Sequence, residues 1–109
     1  MLLLITNVIS PLHTQVNTDS LENVLKTNDL NPDQKLELYK QIGLAYSYND
    51  YKKSMQYAEE GMALAKKEND KAKISNFNHI IGLNHYTKTN YDSAIIYYNK
   101  ALELAIEVK

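Results

Sequence analysis

The chain has 109 residues, of which 44% are hydrophobic, and it contains only three glycines and two prolines. This composition favours one small helical domain and argues against a disordered tail or a turn-rich β-barrel. The net charge is −1, and all twelve cations are lysines. Without arginine or a basic excess, we expect no nucleic-acid partner. The lack of cysteine removes disulfides, thiolate catalysis and cysteine-based zinc sites.

Residues 1–15 form an apolar leader without formal charge, in which the hydrophobic run ends at Ser10-Pro11. The run is too short to cross a bilayer, which takes about 20 residues, but it suits the core of a secretory signal. No lysine precedes it, and residues 12–15 lack the small side chains of a cleavage site. Two interpretations stay open. A signal peptide predicts a periplasmic or exported protein that begins near Gln15 or Val16, whereas an uncleaved leader leaves the protein cytoplasmic.

Five helices are predicted after this leader. The first is a short capping helix within residues 16–30, with Asp19 as N-cap and Glu22 completing a capping box. The second begins at Asn31-Pro32-Asp33-Gln34, where Asn is the cap, Pro the first helical residue and Gln the third. Apolar residues then recur with a helical period. The last three helices are predicted at about 51–67, 71–88 and 90–109.

The third and fifth helices share one pattern at an offset of 40 residues, since Asp50-Tyr51 matches Asn90-Tyr91. Further matches at this offset are Ser54 with Ala94, Tyr57 with Tyr97, Gly61 with Ala101, Leu64 with Leu104 and Ala65 with Ala105. The second and fourth helices match at an offset of 39, through Tyr39 and Asn78, Ile42 and Ile81, and Gly43 and Gly82. The pattern therefore predicts two repeats, at 31–69 and 70–109.

The repeat resembles the tetratricopeptide repeat (TPR) family over residues 36–109. Ile81-Gly82 stands where that motif has Leu-Gly, Asn90-Tyr91 where it has Asp-Tyr, and residues 97–104 read close to its consensus. The chain departs from the motif at Asn78 and His85. The spacing exceeds the usual period of about 34 residues, which is typical of a longer-helix subclass. The arrangement also resembles periplasmic sensor regions of bacterial membrane-bound histidine kinases and transcription regulators.

The resemblance implies an all-α solenoid of antiparallel helix hairpins in a right-handed superhelical stack. Each hairpin needs small residues where its helices cross, because a large side chain would push the axes apart. The residues predicted at these crossings are Gly43, Ser54, Gly61, Gly82, Ala94 and Ala101.

By the same resemblance, the first helix of each hairpin lines a concave groove that binds a protein or peptide. The predicted groove residues are Lys40, Leu44, Tyr48 (with Ser47 as its alternative), His79, Leu83 and Tyr86. Leu44 and Leu83 replace the asparagines with which family members clamp a peptide carboxylate, so that mode is not expected. We predict a noncatalytic scaffold, the sensory or interaction part of a signalling protein, without cofactor. His79 and His85 lie six residues apart, which does not suit a metal site.

A second hypothesis concerns the last helix, which should expose Tyr98, Leu102 and Ile106 where a further repeat normally packs. This face predicts a longer solenoid, or a surface covered by a second copy or by a partner, and it makes a self-association module the alternative function. An enzyme is not expected, because Ser54 and Ser93 lack a plausible His-acid partner.

Overall fold

The computed structural model describes residues 17–108, and in that range it contains five α-helices and no strand. The helices are α1 (Thr18–Thr27), α2 (Pro32–Tyr46), α3 (Tyr51–Lys67), α4 (Lys71–Thr87) and α5 (Tyr91–Glu107). Each packs against its neighbours in the chain, and α2 also contacts α4. The predicted all-α helix-hairpin fold with five helices is therefore confirmed. The predicted leader at 1–15 lies outside the described residues.

The capping box predicted at the start of α2 is present in both of its parts. The Asn31 side chain accepts a hydrogen bond from the Gln34 backbone N–H at 2.8 Å, and the Gln34 side chain accepts one from the Asn31 N–H at 3.0 Å. α3 and α4 start in a simpler way, with the Asp50 and Asp70 carboxylates accepting from the N–H three residues on. These short polar contacts satisfy helix N–H groups that have no partner within the helix.

The capping box predicted for α1 was wrong. Its cap is Asn17, whose side chain accepts from the Ser20 N–H at 3.1 Å, while Asp19 lies inside the first turn. Glu22 instead fastens α1 to the next hairpin, accepting a hydrogen bond from the Tyr46 hydroxyl at 2.8 Å and another from Tyr57. The bond from Tyr57, with that from Tyr46 and the nearby Lys53 ammonium, holds the pKa of Glu22 below its usual value.

The hydrophobic core lies between α2, α3 and α4, and α1 covers a smaller cluster. The larger cluster consists of Leu36, Ala58, Ala65, Phe77, Ile80 and Ile81. In the smaller one, Leu21 and Leu25 of α1 pack against Ile42, Tyr46 and Tyr57. The first hairpin, α2–α3, is thus covered by α1 on one side and by α4 on the other.

All six small residues predicted at helix crossings are buried. A Cβ atom added at Gly61 would lie 2.3 Å from Cζ of Phe77, and one at Gly82 would lie 2.7 Å from Cδ1 of Tyr98. These two glycines are required by close packing, as predicted. Gly43 differs, because a Cβ there would lie 3.6 Å from the Ile80 side chain, an ordinary contact distance.

Ser54 has a role that its size does not reveal. Its hydroxyl donates to the Gly43 carbonyl at 2.6 Å and accepts from Nδ2 of Asn84 at 2.7 Å. Ser54 and Asn84 are both fully buried. The three residues belong to α2, α3 and α4, so a buried polar chain joins the two hairpins.

Candidate interaction surfaces

The predicted groove residues lie on α2 and α4, the neighbouring first helices of the two hairpins. Tyr48 is 76% exposed, and Tyr86 and His79 are also exposed, whereas Lys40, Leu44 and Leu83 are partly buried. Leu44 packs against the larger core cluster. Ser47 is buried and donates its hydroxyl to the Leu44 carbonyl, so Tyr48 is the residue that presents its side chain. We call the outward side of these helices the α2–α4 surface.

One end of the α2–α4 surface is charged. The Glu37 carboxylate lies 3.2 Å from the Lys40 ammonium on α2 and 3.5 Å from the Lys73 ammonium on α4. A hydrogen bond from Gln41, together with the two lysines, lowers the pKa of Glu37. The carboxylate is therefore ionised at neutral pH, and with two lysines the three groups sum to a charge of +1. Lys73 was not among the predicted groove residues.

The other end of the α2–α4 surface is aromatic. The His79 and Tyr98 rings lie 5.5 Å apart between centroids, and Tyr86 meets Tyr91 edge-on at 5.5 Å. Burial, followed by the neighbouring Tyr86 and Tyr48 hydroxyls, raises the pKa of Tyr98. The two ring pairs join α4 to α5, and Tyr48 is exposed just after the end of α2; we call these five residues the aromatic cluster.

Two members of the aromatic cluster were not predicted for it. Tyr98 was expected on the exposed side of α5, but it is half-buried, and its ring lies over Gly82 of α4. Tyr91, which the repeat pattern placed at the start of the last helix, is exposed and contacts Tyr86. Gly82 was the sequence feature that could have predicted the position of Tyr98, because a glycine leaves room for a ring from the facing helix.

The exposed side of α5 contains the other two predicted residues, Leu102 and Ile106, which are 58% and 63% exposed. Ile95 and Tyr91 extend the same stripe towards the start of the helix. Beside it, an open groove of about 530 Å³ runs between α4 and α5. Its lining residues are Ser75, Asn76, His79, Tyr98, Ala101, Leu102 and Ala105. We call the stripe and this groove together the α5 face.

The two histidines of α4 have different neighbours, because His79 contacts Tyr98 and His85 stacks on Tyr97 at 5.4 Å. Among residues 17–108, no group of three or more histidine and acidic side chains is placed to hold a metal ion. Nor does any helix in this range combine the length and apolar character that crossing a bilayer needs.

Comparisons of the chain with protein-family models, with curated proteins and with solved structures found no match. The TPR resemblance therefore remains a prediction from the sequence.

Proposed function

We propose that this chain is a noncatalytic TPR-like scaffold that binds an extended peptide, or an extended segment of another protein, on its α2–α4 surface. The observation that carries the proposal is the pairing of two chemistries on this surface. Exposed aromatic rings gather at one end, and a Lys–Glu–Lys group with net positive charge lies at the other.

The aromatic cluster is suited to binding protein side chains. A tyrosine offers a large flat apolar area and a hydroxyl that forms hydrogen bonds, and it loses little conformational entropy because it has few rotatable bonds. Tyr48 and Tyr86 are exposed, so their faces are open to a partner. We expect the ligand to place apolar or aromatic side chains here.

The charged end should fix the orientation in which a peptide binds. Lys40 and Lys73 flank a single carboxylate, Glu37, so an acidic group of the ligand gains net attraction at this end. These side chains are partly solvated, and the attraction should weaken with added salt. A preferred peptide therefore has an apolar segment and an acidic residue in a fixed order.

The test is selection of binders from a random peptide library on the full chain, followed by calorimetry. The variant Tyr48→Ala/Tyr86→Ala should bind a selected peptide at least about 10-fold more weakly, because it removes the exposed aromatic area. Ile96→Ala, which shortens an exposed side chain on α5, should bind like the wild type. Failure to enrich any peptide, or equal affinity for all three proteins, would contradict the proposal.

The same proposal makes the chain the exported sensory or interaction part of a signalling protein. The support is the apolar composition of residues 1–15 and the resemblance to periplasmic sensor regions. N-terminal sequencing of the protein recovered from bacterial cells should then begin near residue 15 or 16. A protein that retains the whole leader and stays in the cytoplasm would contradict this part of the proposal.

A further inference from the structure

Among residues 17–108 the α5 face is open, although part of its counterpart in the first hairpin is covered by α4. At the offset of 40, Met55 and Met62 of α3 correspond to Ile95 and Leu102 of α5. The two methionines pack against the larger core cluster, to which α4 contributes Phe77, Ile80 and Ile81. Ile95 and Leu102 are instead 56% and 58% exposed. The repeat thus favours a covering partner at Ile95 and Leu102, whereas Ile106 corresponds to the exposed Lys66.

The α5 face combines a ridge with a hollow. The ridge consists of Ile95, Leu102 and Ile106, three exposed aliphatic side chains on one side of the helix. The hollow is the groove between α4 and α5, in which Ala101 and Ala105 offer only methyl groups. A ridge beside a groove allows self-association, because a two-fold axis can place each ridge in the groove of the other copy.

The hollow does not suit a covering helix that inserts a large aromatic ring, as α4 does against α3. In the first hairpin, α4 inserts the Phe77 ring against Gly61, where even a Cβ atom would clash. The corresponding residue in α5 is Ala101, and the buried Ala58 corresponds to the larger Tyr98. Both replacements make the hollow shallower, so it accepts a branched aliphatic side chain better than a phenyl ring.

We infer that two copies of this chain associate through the α5 face, with their α5 helices antiparallel and each ridge seated in the groove of the other copy. One helix stripe and one groove form a small interface, and specific interfaces at the lower end of the size range bury about 1,000–1,200 Å². The dimer is therefore reversible, with a Kd on the order of 1–100 µM.

Sedimentation velocity of the full chain from about 1 to 300 µM tests the inference, because this range spans the expected Kd. The wild-type mass should rise from 12.5 kDa towards twice that value. Ile95→Lys and Leu102→Lys should each weaken association at least 30-fold, because a lysine ammonium would be buried without a partner. Circular dichroism checks that each variant keeps its helices.

Ile96→Lys is the matched control. Ile96 is 54% exposed, adjacent to Ile95 and identical in type, but it points about 100° away around the helix. It lies outside the ridge, so this variant should dimerise like the wild type. A wild-type monomer at every concentration would overturn the inference, and so would equal effects of Ile95→Lys and Ile96→Lys.

A cross-link tests the two-fold arrangement directly, since the chain has no cysteine. The middle of the stripe from Tyr91 to Ile106 lies near Asn99, so Asn99→Cys places two thiols close to the axis. Mild oxidation should give a disulfide-linked dimer within the range of ordinary disulfide geometry. Lys52→Cys, on the exposed side of α3, should not cross-link, and equal cross-linking of both variants would contradict the antiparallel arrangement.

The α5 face shares His79, Tyr91 and Tyr98 with the aromatic cluster, so the two proposals are separated with residues that belong to one surface only. Ile95→Lys should leave the affinity for a selected peptide unchanged, while Tyr48→Ala should leave the dimer unchanged. A loss of dimerisation with peptide binding intact, or the reverse, identifies which of the two surfaces has failed.

Discussion

The two hairpins, α2–α3 and α4–α5, follow one sequence pattern but have different neighbours. α1 covers the first hairpin through the Glu22 carboxylate, and α4 covers its other side by placing Phe77 against Gly61. The second hairpin has α3 on one side, and its α5 face is exposed within the described residues. Equivalent positions therefore become core in one hairpin and surface in the other.

Individual positions show how the difference arises. Ala58 is fully buried in the first hairpin, whereas the corresponding Tyr98 is half-buried and joins the aromatic cluster. Ser54 links three helices through hydrogen bonds, but the corresponding Ala94 can form no such bond with its side chain. The repeat preserves the hairpin, and the contacts beyond it decide what each residue does.

The largest expected effect concerns the core between the two hairpins, where α4 packs against α3. Phe77→Ala removes a fully buried ring and leaves a cavity against Gly61, so it should lower the free energy of unfolding by about 3–5 kcal/mol. Leu38→Ala, 39 residues earlier and only half-buried, should cost less. Urea denaturation measures both losses, and equal losses would mean that the hairpins are packed alike.

The three glycines should give graded losses. Gly61→Ala should lower the free energy of unfolding by about 1–3 kcal/mol, because its methyl group meets a buried ring that cannot move aside. Gly82→Ala should cost less, since Tyr98 is half-buried and can rotate towards solvent. Gly43→Ala should be neutral or gain up to about 1 kcal/mol from helix propensity.

Guanidinium denaturation of the three single variants measures this order. The double variant Gly61→Ala/Phe77→Leu is the check on the cause, because a smaller side chain at 77 should restore part of the loss and make the two changes non-additive. A Gly61→Ala variant as stable as Gly43→Ala would show that the ring does not occupy this space.

The smallest effect concerns the cover provided by α1. The pKa of Glu22 is lowered in the folded state, so its stabilising contribution is complete above the ordinary glutamate pKa of about 4.3 and is lost as the pH falls through the lowered value. Glu22→Gln should therefore be less stable than the wild type by about 1 kcal/mol at pH 7. The difference between the two proteins should be smaller at pH 3.

Thermal melts followed by circular dichroism at pH 7 and pH 3 measure this difference. Glu103→Gln, a change at an exposed glutamate of α5, is the control and should match the wild type at both pH values. A Glu22→Gln deficit that is equally large at pH 3 would show that ionisation of the carboxylate is not what holds α1.

Much of the fold could be predicted because its signals are local. The bonds of the α2 capping box join residues three apart, and the acidic caps of α3 and α4 act over the same distance. The α1 cap was missed because Asn17 and Asp19 are both good cap residues. The Glu22 carboxylate accepts hydrogen bonds from tyrosines 24 and 35 residues further along the chain. A local sequence pattern does not include contacts over such distances.

The candidate surfaces were predictable only in part. The TPR resemblance and its repeat spacing placed Tyr48, Tyr86 and Leu102 on surfaces available to a partner or a further repeat, and all three are exposed. The same spacing could not predict that the Tyr98 ring packs over Gly82. Nor could it predict that the space beside Gly43 has room for a methyl group. Those outcomes depend on how close two helix axes come, to within a few tenths of an ångström.

The sequence by itself determined that this chain forms helices, where most of them begin, and that two hairpins repeat at a spacing of about 40 residues. Caps and apolar periodicity act within one or two turns, so they can be read along the chain. Only the tertiary structure decided which repeated positions are covered and which aromatic rings are in contact. It also decided that Glu22 joins α1 to the first hairpin. Such contacts join residues far apart in sequence, and their fit depends on the packed geometry of neighbouring helices.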